Sequence, residues 1–157
     1  MVFNGTRLYP KHQLIDTLEN MGVQFGTDLN AYTGFDETTY ILPIPLNNPK
    51  NFEKSVGILE QLAFHATLLP EDIDQERSVI TEEWRASDLS ATAHQQEHNL
   101  KLIAKDSLYA ERMPMGKVEI IQHVPPHVLR DFYQRWYRPN LMSVVVVGDI
   151  NPAYAKK

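Results

Sequence analysis

The sequence of 157 residues contains no cysteine, so disulfides, cysteine-ligated zinc and a thiol nucleophile are all excluded. It has no run of lysine or arginine, and its formal net charge is -5. Both features argue against nucleic acid and against an anionic membrane surface as partners. No apolar stretch approaches the roughly 18 residues that a membrane-spanning helix needs. The 43% hydrophobic content suits a single domain with its own core.

The spacing of apolar residues predicts the first elements. Residues 11–21 and 48–69 carry apolar residues three and four positions apart, which predicts two amphipathic helices. The predicted buried face of the second helix consists of Phe52, Val56, Leu59, Leu62, Ala63 and Ala66. Residues 23–46 are rich in β-branched and aromatic residues around a polar corner, which predicts a hairpin or meander.

The second half of the chain is predicted to be mainly helical. From Glu71 no proline or glycine interrupts the sequence until Pro114, so a third helix is either long or broken in its middle. Residues 116–121 and 125–137 predict two further helices, and the apolar run 141–147 predicts a strand buried on both faces. This order of elements predicts a two-layer α/β (α+β) fold, with a mixed, largely antiparallel sheet and helices packed on one side.

Two glutamates stand out within the predicted third helix. Glu76 and Glu83 are seven residues apart, nearly two helical turns, so both carboxylates share a face with Val79 and Ile80 between them. Carboxylates beside apolar side chains are costly to bury unless they are paired or bound to a metal. The segment therefore indicates either a cation site or a half-exposed helix with solvated glutamates.

The segment from Glu76 to Glu83 is similar to the helix that supplies the last zinc ligand in metallopeptidases of the pitrilysin and insulinase type, whose main motif is H-x-x-E-H. Other segments resemble the same family in the family's order. They are Met1 to Thr6, Leu29 to Thr33 with Glu37 to Tyr40, Met113 to Gly116 with Glu119 and Ile120, Phe132 to Asn140, and Val144 to Asp149. The sequence thus resembles that family over nearly its whole length, most closely the bacterial periplasmic zinc proteases.

The resemblance implies roles for particular residues. Residues 1–157 would be a partial N-terminal peptidase domain, with Glu83 as the third zinc ligand and Glu76 as a carboxylate that supports a ligand. A peptide substrate would add as a strand along an edge formed by Leu29, Asn30, Ala31 and Tyr32. The alternative is that Ala31 and Tyr32 fill an internal strand. In the intact family enzyme, zinc on two histidines and a glutamate activates the water that attacks a peptide carbonyl, and the periplasm is the implied compartment.

By the same alignment, the H-x-x-E-H motif would precede Met1. The sequence then holds one zinc ligand and no catalytic glutamate, so we expect the chain alone to bind zinc weakly and to cleave no peptides. The expected function is that of part of a zinc metalloendopeptidase acting on peptides or small unfolded proteins. Its expected partners are the rest of the same polypeptide, namely the upstream motif segment and a C-terminal half. Uncovered apolar surface around Val79, Ile80 and the sheet also predicts self-association or marginal stability.

The sequence His94-Gln95-Gln96-Glu97-His98 also spells H-x-x-E-H. His94 and His98 lie one helical turn apart and could hold a metal, which leaves a small metal-binding protein as an alternative function. If Glu83 lies on the same helix, however, about 16 Å along the axis separates it from His94, too far to share an ion. We therefore interpret the pattern as a polar helix face. A non-catalytic homologue that acts as a scaffold or partner subunit is a further alternative.

Overall fold

The structure, a computed structural model, describes residues 1–24 and 30–156. These residues form eight α-helices and a two-stranded antiparallel sheet, which confirms the predicted α/β class. The elements are α1 (Gln13–Asn20), β1 (Asn30–Thr33), β2 (Thr38–Ile41), α2 (Lys50–Phe64), α3 (Pro70–Asp88), α4 (Ala91–Ile103), α5 (Leu108–Glu111), α6 (Val118–His123), α7 (Pro126–Trp136) and α8 (Pro152–Ala155). Two single turns of 3-10 helix cover Val2–Asn4 and Pro139–Leu141. Within the described residues, no helix is long and apolar enough to cross a membrane.

The core lies between α1, α2 and the start of α3. Leu14 and Leu18 of α1 are fully buried, as are Ile58 and Leu62 of α2, and Ile73 of α3 closes the cluster. Burial of each such side chain contributes about 1.5–3 kcal/mol to folding. The predicted first helix is confirmed, because its i, i+4 pair of leucines forms the centre of this core.

The buried face of α2 differs from the predicted one. Val56 is 48% exposed, whereas the polar residues Asn51 and Gln61 are buried. Both polar side chains have partners: Asn51 Nδ2 donates to the Pro45 carbonyl at 2.9 Å, and Gln61 Oε1 accepts from the Leu8 amide at 3.2 Å. Since a buried amide that is hydrogen-bonded avoids most of its desolvation cost, these contacts rotate the helix away from its most apolar face.

The N-terminal segment is held against the loop between α2 and α3 by backbone hydrogen bonds. Thr6 and Ala66 form an antiparallel bridge, which is flanked by two further bonds of 3.0 Å, from the Arg7 amide to the His65 carbonyl and from the Thr67 amide to the Gly5 carbonyl. Thr6 is only 1% exposed. We call residues 5–7 and 65–67 together the N-terminal ladder.

Helix α7 completes this ladder with one buried tyrosine. The Tyr133 hydroxyl donates to the Leu62 carbonyl at 2.7 Å and accepts from the Ala66 amide at 3.1 Å. Burial raises the pKa of Tyr133, so the hydroxyl stays protonated and able to donate. On the next turn, the hydroxyl of Tyr137 shares a hydrogen bond of 2.6 Å with that of Tyr40 on β2. Helix α7 thereby joins the ladder to the hairpin.

The predicted hairpin is confirmed for β1 and β2, which pair from Asn30 with Ile41 to Thr33 with Thr38. The Gly34 amide closes the connecting loop on the Glu37 carbonyl at 2.8 Å. The tip of the hairpin contacts α5, where the Tyr109 hydroxyl donates to the Asp36 carboxylate at 2.8 Å. Part of the predicted meander, residues 25–29, lies outside the described residues.

The third helix, predicted to be either long or broken in its middle, is broken into two helices, α3 and α4. The break falls at Leu89 and Ser90, and Ser90 caps α4 because its hydroxyl accepts from the Ala93 amide at 3.3 Å. Serine at this position satisfies an amide that the helix itself leaves unpaired. Glu83 and His94 therefore lie on different helices. The distance expected between them along one continuous helix does not apply.

The predicted strand at 141–147 is wrong for the described residues. Residues 142–147 have no regular secondary structure and form no ladder with any part of the chain between 1–24 and 30–156. Val144, Val145 and Val147 are 77%, 82% and 91% exposed. A continuous apolar run predicts burial on both faces only when neighbouring strands and a covering layer are present, and the described residues supply neither around this segment.

The hydroxyl of Tyr133 should measurably stabilise the fold. Tyr133→Phe leaves the Leu62 carbonyl and the Ala66 amide without their partner, so we expect a loss of about 1–3 kcal/mol in the free energy of unfolding by denaturant. Tyr154→Phe is the matched control, because the Tyr154 hydroxyl donates to Glu53 at 2.9 Å on an exposed surface and should show no measurable loss. Equal effects of the two substitutions would contradict the role given to Tyr133.

Candidate functional site

Helix α3 begins and ends with residues that favour its helical state. Pro70 occupies its first turn together with Glu71 and Asp72, and Arg85 lies in its last turn. Proline is pre-organised for a helix start, and charges of these signs complement the helix dipole. Asp72 is buried and pairs with Lys11 at 3.3 Å. The first half of α3 is thus packed against the N-terminal region of the chain.

Glu76 is held by the residues that the N-terminal ladder brings over α3. Its Oε2 accepts from Asn4 Nδ2 at 3.1 Å, and its Oε1 lies 3.4 Å from the amino nitrogen of Met1. The side chain is 27% exposed. The carboxylate is therefore fixed in position by two donors, both from the first four residues of the chain.

Glu83 lies on the same face of α3 but is exposed. Seven residues place it within about 20° of Glu76 around the helix and about 10 Å further along its axis. Val79, between the two glutamates, is 52% exposed. Within residues 1–24 and 30–156, the Glu83 carboxylate has no hydrogen bond or ion pair. The face that is packed at Glu76 is consequently open to solvent from Val79 to Glu83, where a carboxylate is available.

The described residues do not by themselves make a zinc site. No three histidine, aspartate or glutamate side chains in the described part of the chain are grouped closely enough to hold a metal ion. Catalytic zinc normally has three protein ligands and one open position. Glu83 could supply one such ligand, and the others would have to come from outside the described residues.

Of the two histidines of α4, His94 contacts the end of the preceding helix. His94 Nε2 is 2.5 Å from the carbonyl of Asp88, at the end of α3. Glu97 forms an ion pair with Lys101 at 2.6 Å, and this hydrogen bond lowers the pKa of the Glu97 carboxyl. His94 and His98 therefore lie on an exposed polar face with no third ligand among the residues described.

An open groove on the opposite face of α3 was not predicted from the sequence. Its volume is about 340 Å³, and it is lined by Asp74, Arg77, Ser78, Thr81, Glu82, Arg85 and Gln122. The guanidinium of Arg77 donates to the carbonyls of Ile121 and Val124 and so attaches α6 to α3. Because most lining residues point about 180° away from Glu76 and Glu83, this groove is separate from the carboxylate face.

The structure describes three of the four residues of the predicted peptide-binding edge. Leu29 lies outside the described residues, whereas Asn30, Ala31 and Tyr32 belong to β1, which pairs only with β2 in the described chain. The Ala31 amide donates to Asn30 Oδ1 at 2.8 Å rather than to β2. Tyr32 is 53% exposed. The outer edge of β1 thus carries at least one amide whose present partner is a flexible, exposed side chain.

Comparison with known protein families gives two adjoining matches. Residues 1–113 match the family described as Insulinase (Peptidase family M16), and residues 123–157 match the Peptidase M16 inactive domain. The matched residues include Glu76, Glu83 and the edge of β1.

Similar proteins agree with these matches. The chain is 41% identical over 151 residues to a probable zinc protease, PqqL, of Escherichia coli (strain K12), and 36% identical over 149 residues to a zinc protease PQQL-like protein of Arabidopsis thaliana. These alignments cover 96% and 95% of this chain, but only 16% of either relative. The chain therefore spans about one-sixth of the length of these relatives.

Solved structures show the same relationship. The crystal structure of the first half of the periplasmic protease PqqL from Escherichia coli superposes with a TM-score of 0.93 at 39% identity, covering 99% of this chain and 33% of that one. A ferredoxin protease, FusC, in complex with Arabidopsis ferredoxin gives a TM-score of 0.88 at 37% identity, covering 99% and 17%.

The two glutamates of α3 should differ in their contribution to stability. Glu76→Ala removes the acceptor for Asn4 and Met1, so we expect a loss of about 1 kcal/mol in the free energy of unfolding. Glu83→Ala, two turns further on the same face, should produce no measurable loss. Urea denaturation of both variants checks this, and a loss at Glu83 as large as that at Glu76 would mean that Glu83 serves the fold.

Proposed function

Because the chain belongs to the insulinase family of peptidases, peptidase family M16, we propose that it is a metal-binding part of a zinc metalloendopeptidase that hydrolyses peptides or small unfolded proteins. Residues 1–157 contribute part of the N-terminal peptidase domain. Glu83 supplies one zinc ligand. Glu76 does not bind the metal itself but supports one of the residues that do. The observation that carries the proposal is the face of α3, where a fixed carboxylate precedes an exposed one that has no partner in the described part of the chain.

The position of Met1 supports a shared metal site. Its amino nitrogen lies 3.4 Å from Glu76, so a residue preceding Met1 in a longer protein begins beside the carboxylate face of α3. The proposal places the H-x-x-E-H motif in that preceding segment, with its second histidine next to residue 1. In this proposal Glu76 can reach that histidine, and Glu83, about two turns further along α3, binds the same zinc ion.

The substrate edge is part of the same proposal. A peptide would add to the outer side of β1 along Leu29, Asn30, Ala31 and Tyr32, as an extra strand. The Asn30 side chain now occupies the Ala31 amide, so a peptide carbonyl would replace it there. Backbone pairing of this kind tolerates many substrate sequences. We place the protein in the periplasm, by analogy with the matched periplasmic protease.

A non-catalytic homologue that serves as a scaffold or partner subunit is the second candidate. A non-catalytic member of a family can keep the fold without the metal. The two candidates differ in whether a longer protein that contains this chain also contains the upstream motif.

Zinc binding by a short and an extended form of this protein tests the proposal. Residues 1–157 alone should bind zinc weakly and hydrolyse no peptide, because one carboxylate is too few ligands. A protein extended upstream to include H-x-x-E-H should bind one zinc per chain, measured by metal analysis after dialysis. In that protein, Glu83→Gln should lose the zinc.

Two controls locate the ligand. Glu82→Gln changes the neighbouring exposed carboxylate, which pairs with Arg85, and should leave zinc bound. His94→Ala combined with His98→Ala should also have no effect. Full zinc occupancy in the Glu83→Gln protein would rule out the role of Glu83. Tight zinc binding by residues 1–157 that depends on His94 and His98 would instead favour the small metal-binding protein.

A further inference from the structure

The tip of the hairpin is held by a side chain from outside it, Tyr109 of α5. The Tyr109 hydroxyl donates to the Asp36 carboxylate, whose two oxygens lie 2.8 and 3.1 Å away. The Tyr109 ring also meets the ring of Phe35 edge to face, with centroids 5.1 Å apart and planes at 89°. The hydrogen bond to Asp36 raises the pKa of Tyr109, which keeps its hydroxyl protonated as a donor. Phe35 and Asp36, the residues at the tip, thus both contact one tyrosine.

The tip also lacks the turn that hairpin loops of this length prefer. The preferred turns have a positive φ at the first central residue, and their twist matches that of the paired strands. Neither Phe35 nor Asp36 has a positive φ. A turn of the other kind splays the strands that it joins. The local sequence therefore does not by itself set the twist of the hairpin, and the contacts with Tyr109 contribute to setting it.

Helix α5 is a fixed support for these contacts. The Ser107 amide and hydroxyl both donate to the Ala104 carbonyl, at 3.0 and 2.6 Å, and so fix the turn from α4 into α5. The start of α4 is attached to the end of α3 by the contact of His94 with the Asp88 carbonyl. A continuous set of contacts therefore leads from the helix that carries Glu83 to the tip of the hairpin.

The strand register identifies the backbone groups on the outer edge of β1. The Gly34 amide bonds to the Glu37 carbonyl, and bonded and non-bonded pairs alternate along an antiparallel ladder. The next pair, Thr33 with Thr38, is therefore non-bonded, and its Oγ1 atoms lie 3.4 Å apart. By the same alternation Ala31 is also non-bonded. The amides and carbonyls of Ala31 and Thr33 consequently face away from β2, and only Gly34 separates Thr33 from the tip.

We infer that Tyr109 is a positioning residue for peptide binding. By holding Phe35 and Asp36 it sets the twist of the hairpin, and with it the direction in which the outer amides and carbonyls of β1 point. Tyr109 does not need to touch the peptide or the zinc ion for this role. The inference rests on the proposed function, because it takes the outer edge of β1 as the place where the peptide is added.

Peptide kinetics of the longer protein, extended upstream to include H-x-x-E-H, test the inference. Tyr109→Phe keeps the ring against Phe35 but removes the hydrogen bond to Asp36. The KM for an unstructured peptide should therefore rise about threefold, while kcat and bound zinc stay unchanged. Tyr154→Phe is the matched control, because the Tyr154 hydroxyl also donates to an exposed carboxylate, that of Glu53 on α2. Its KM should equal that of the wild type.

A double-mutant cycle shows whether Tyr109 and Asp36 act as a pair. Asp36→Ala should raise the KM by a similar factor, and its combination with Tyr109→Phe should add nothing further, because the interaction is already lost. Amide exchange gives a readout that needs no catalysis. The Tyr32 amide belongs to a bonded pair of the ladder, so it should exchange faster in Tyr109→Phe than in Tyr154→Phe.

Several outcomes would overturn the role of Tyr109. They are additive effects of Asp36→Ala and Tyr109→Phe, unchanged exchange of the Tyr32 amide, and a fall in kcat or in bound zinc in place of a rise in KM. Hydrolysis by every variant with one common KM would overturn this role and leave the proposed function intact. Failure of the wild type to hydrolyse peptides would overturn the proposed function and this inference with it, so the two failures are distinguishable.

Discussion

The structure depends on the N-terminal ladder, a short stretch of backbone pairing between distant parts of the chain. Residues 5–7 pair with residues 65–67 through the Thr6 to Ala66 bridge and its two flanking bonds. The ladder holds the start of the chain over α3 together with the contacts of Asn4 and Met1 to Glu76 and the buried side chain of Val2. The Tyr133 hydroxyl secures the same loop from α7, so helix packing and backbone pairing reinforce one another.

The arrangement of the candidate site follows from this ladder. It brings Met1 and Asn4 over Glu76, which fixes one carboxylate at moderate burial and leaves Glu83 exposed two turns further along α3. A carboxylate held by two donors and one with no partner among the described residues thus lie on a single helix face. In a family of zinc peptidases, this division suits one residue that orients a ligand and another that binds the metal itself.

The sequence predicted those features that depend on local spacing. The i, i+4 leucines of α1, the proline at the start of α7 and the seven-residue separation of Glu76 and Glu83 are all visible in a single helical segment. Long-range contacts were not visible. Arg77 bonds to carbonyls 44 and 47 residues away, and Asn51 and Gln61 are buried because of partners on other loops. The valine run likewise predicted a strand, although pairing depends on a neighbour that no local pattern supplies.

Amide hydrogen exchange tests the central claim, that the N-terminal ladder holds the first residues in place over α3. The Arg7 and Thr67 amides donate across the ladder, so they should exchange only through global unfolding. Their opening free energies should then equal that of the Leu62 amide in α2. If Arg7 and Thr67 exchange rapidly while Leu62 remains protected, the ladder opens locally, and it cannot be what positions Met1 and Asn4 at Glu76.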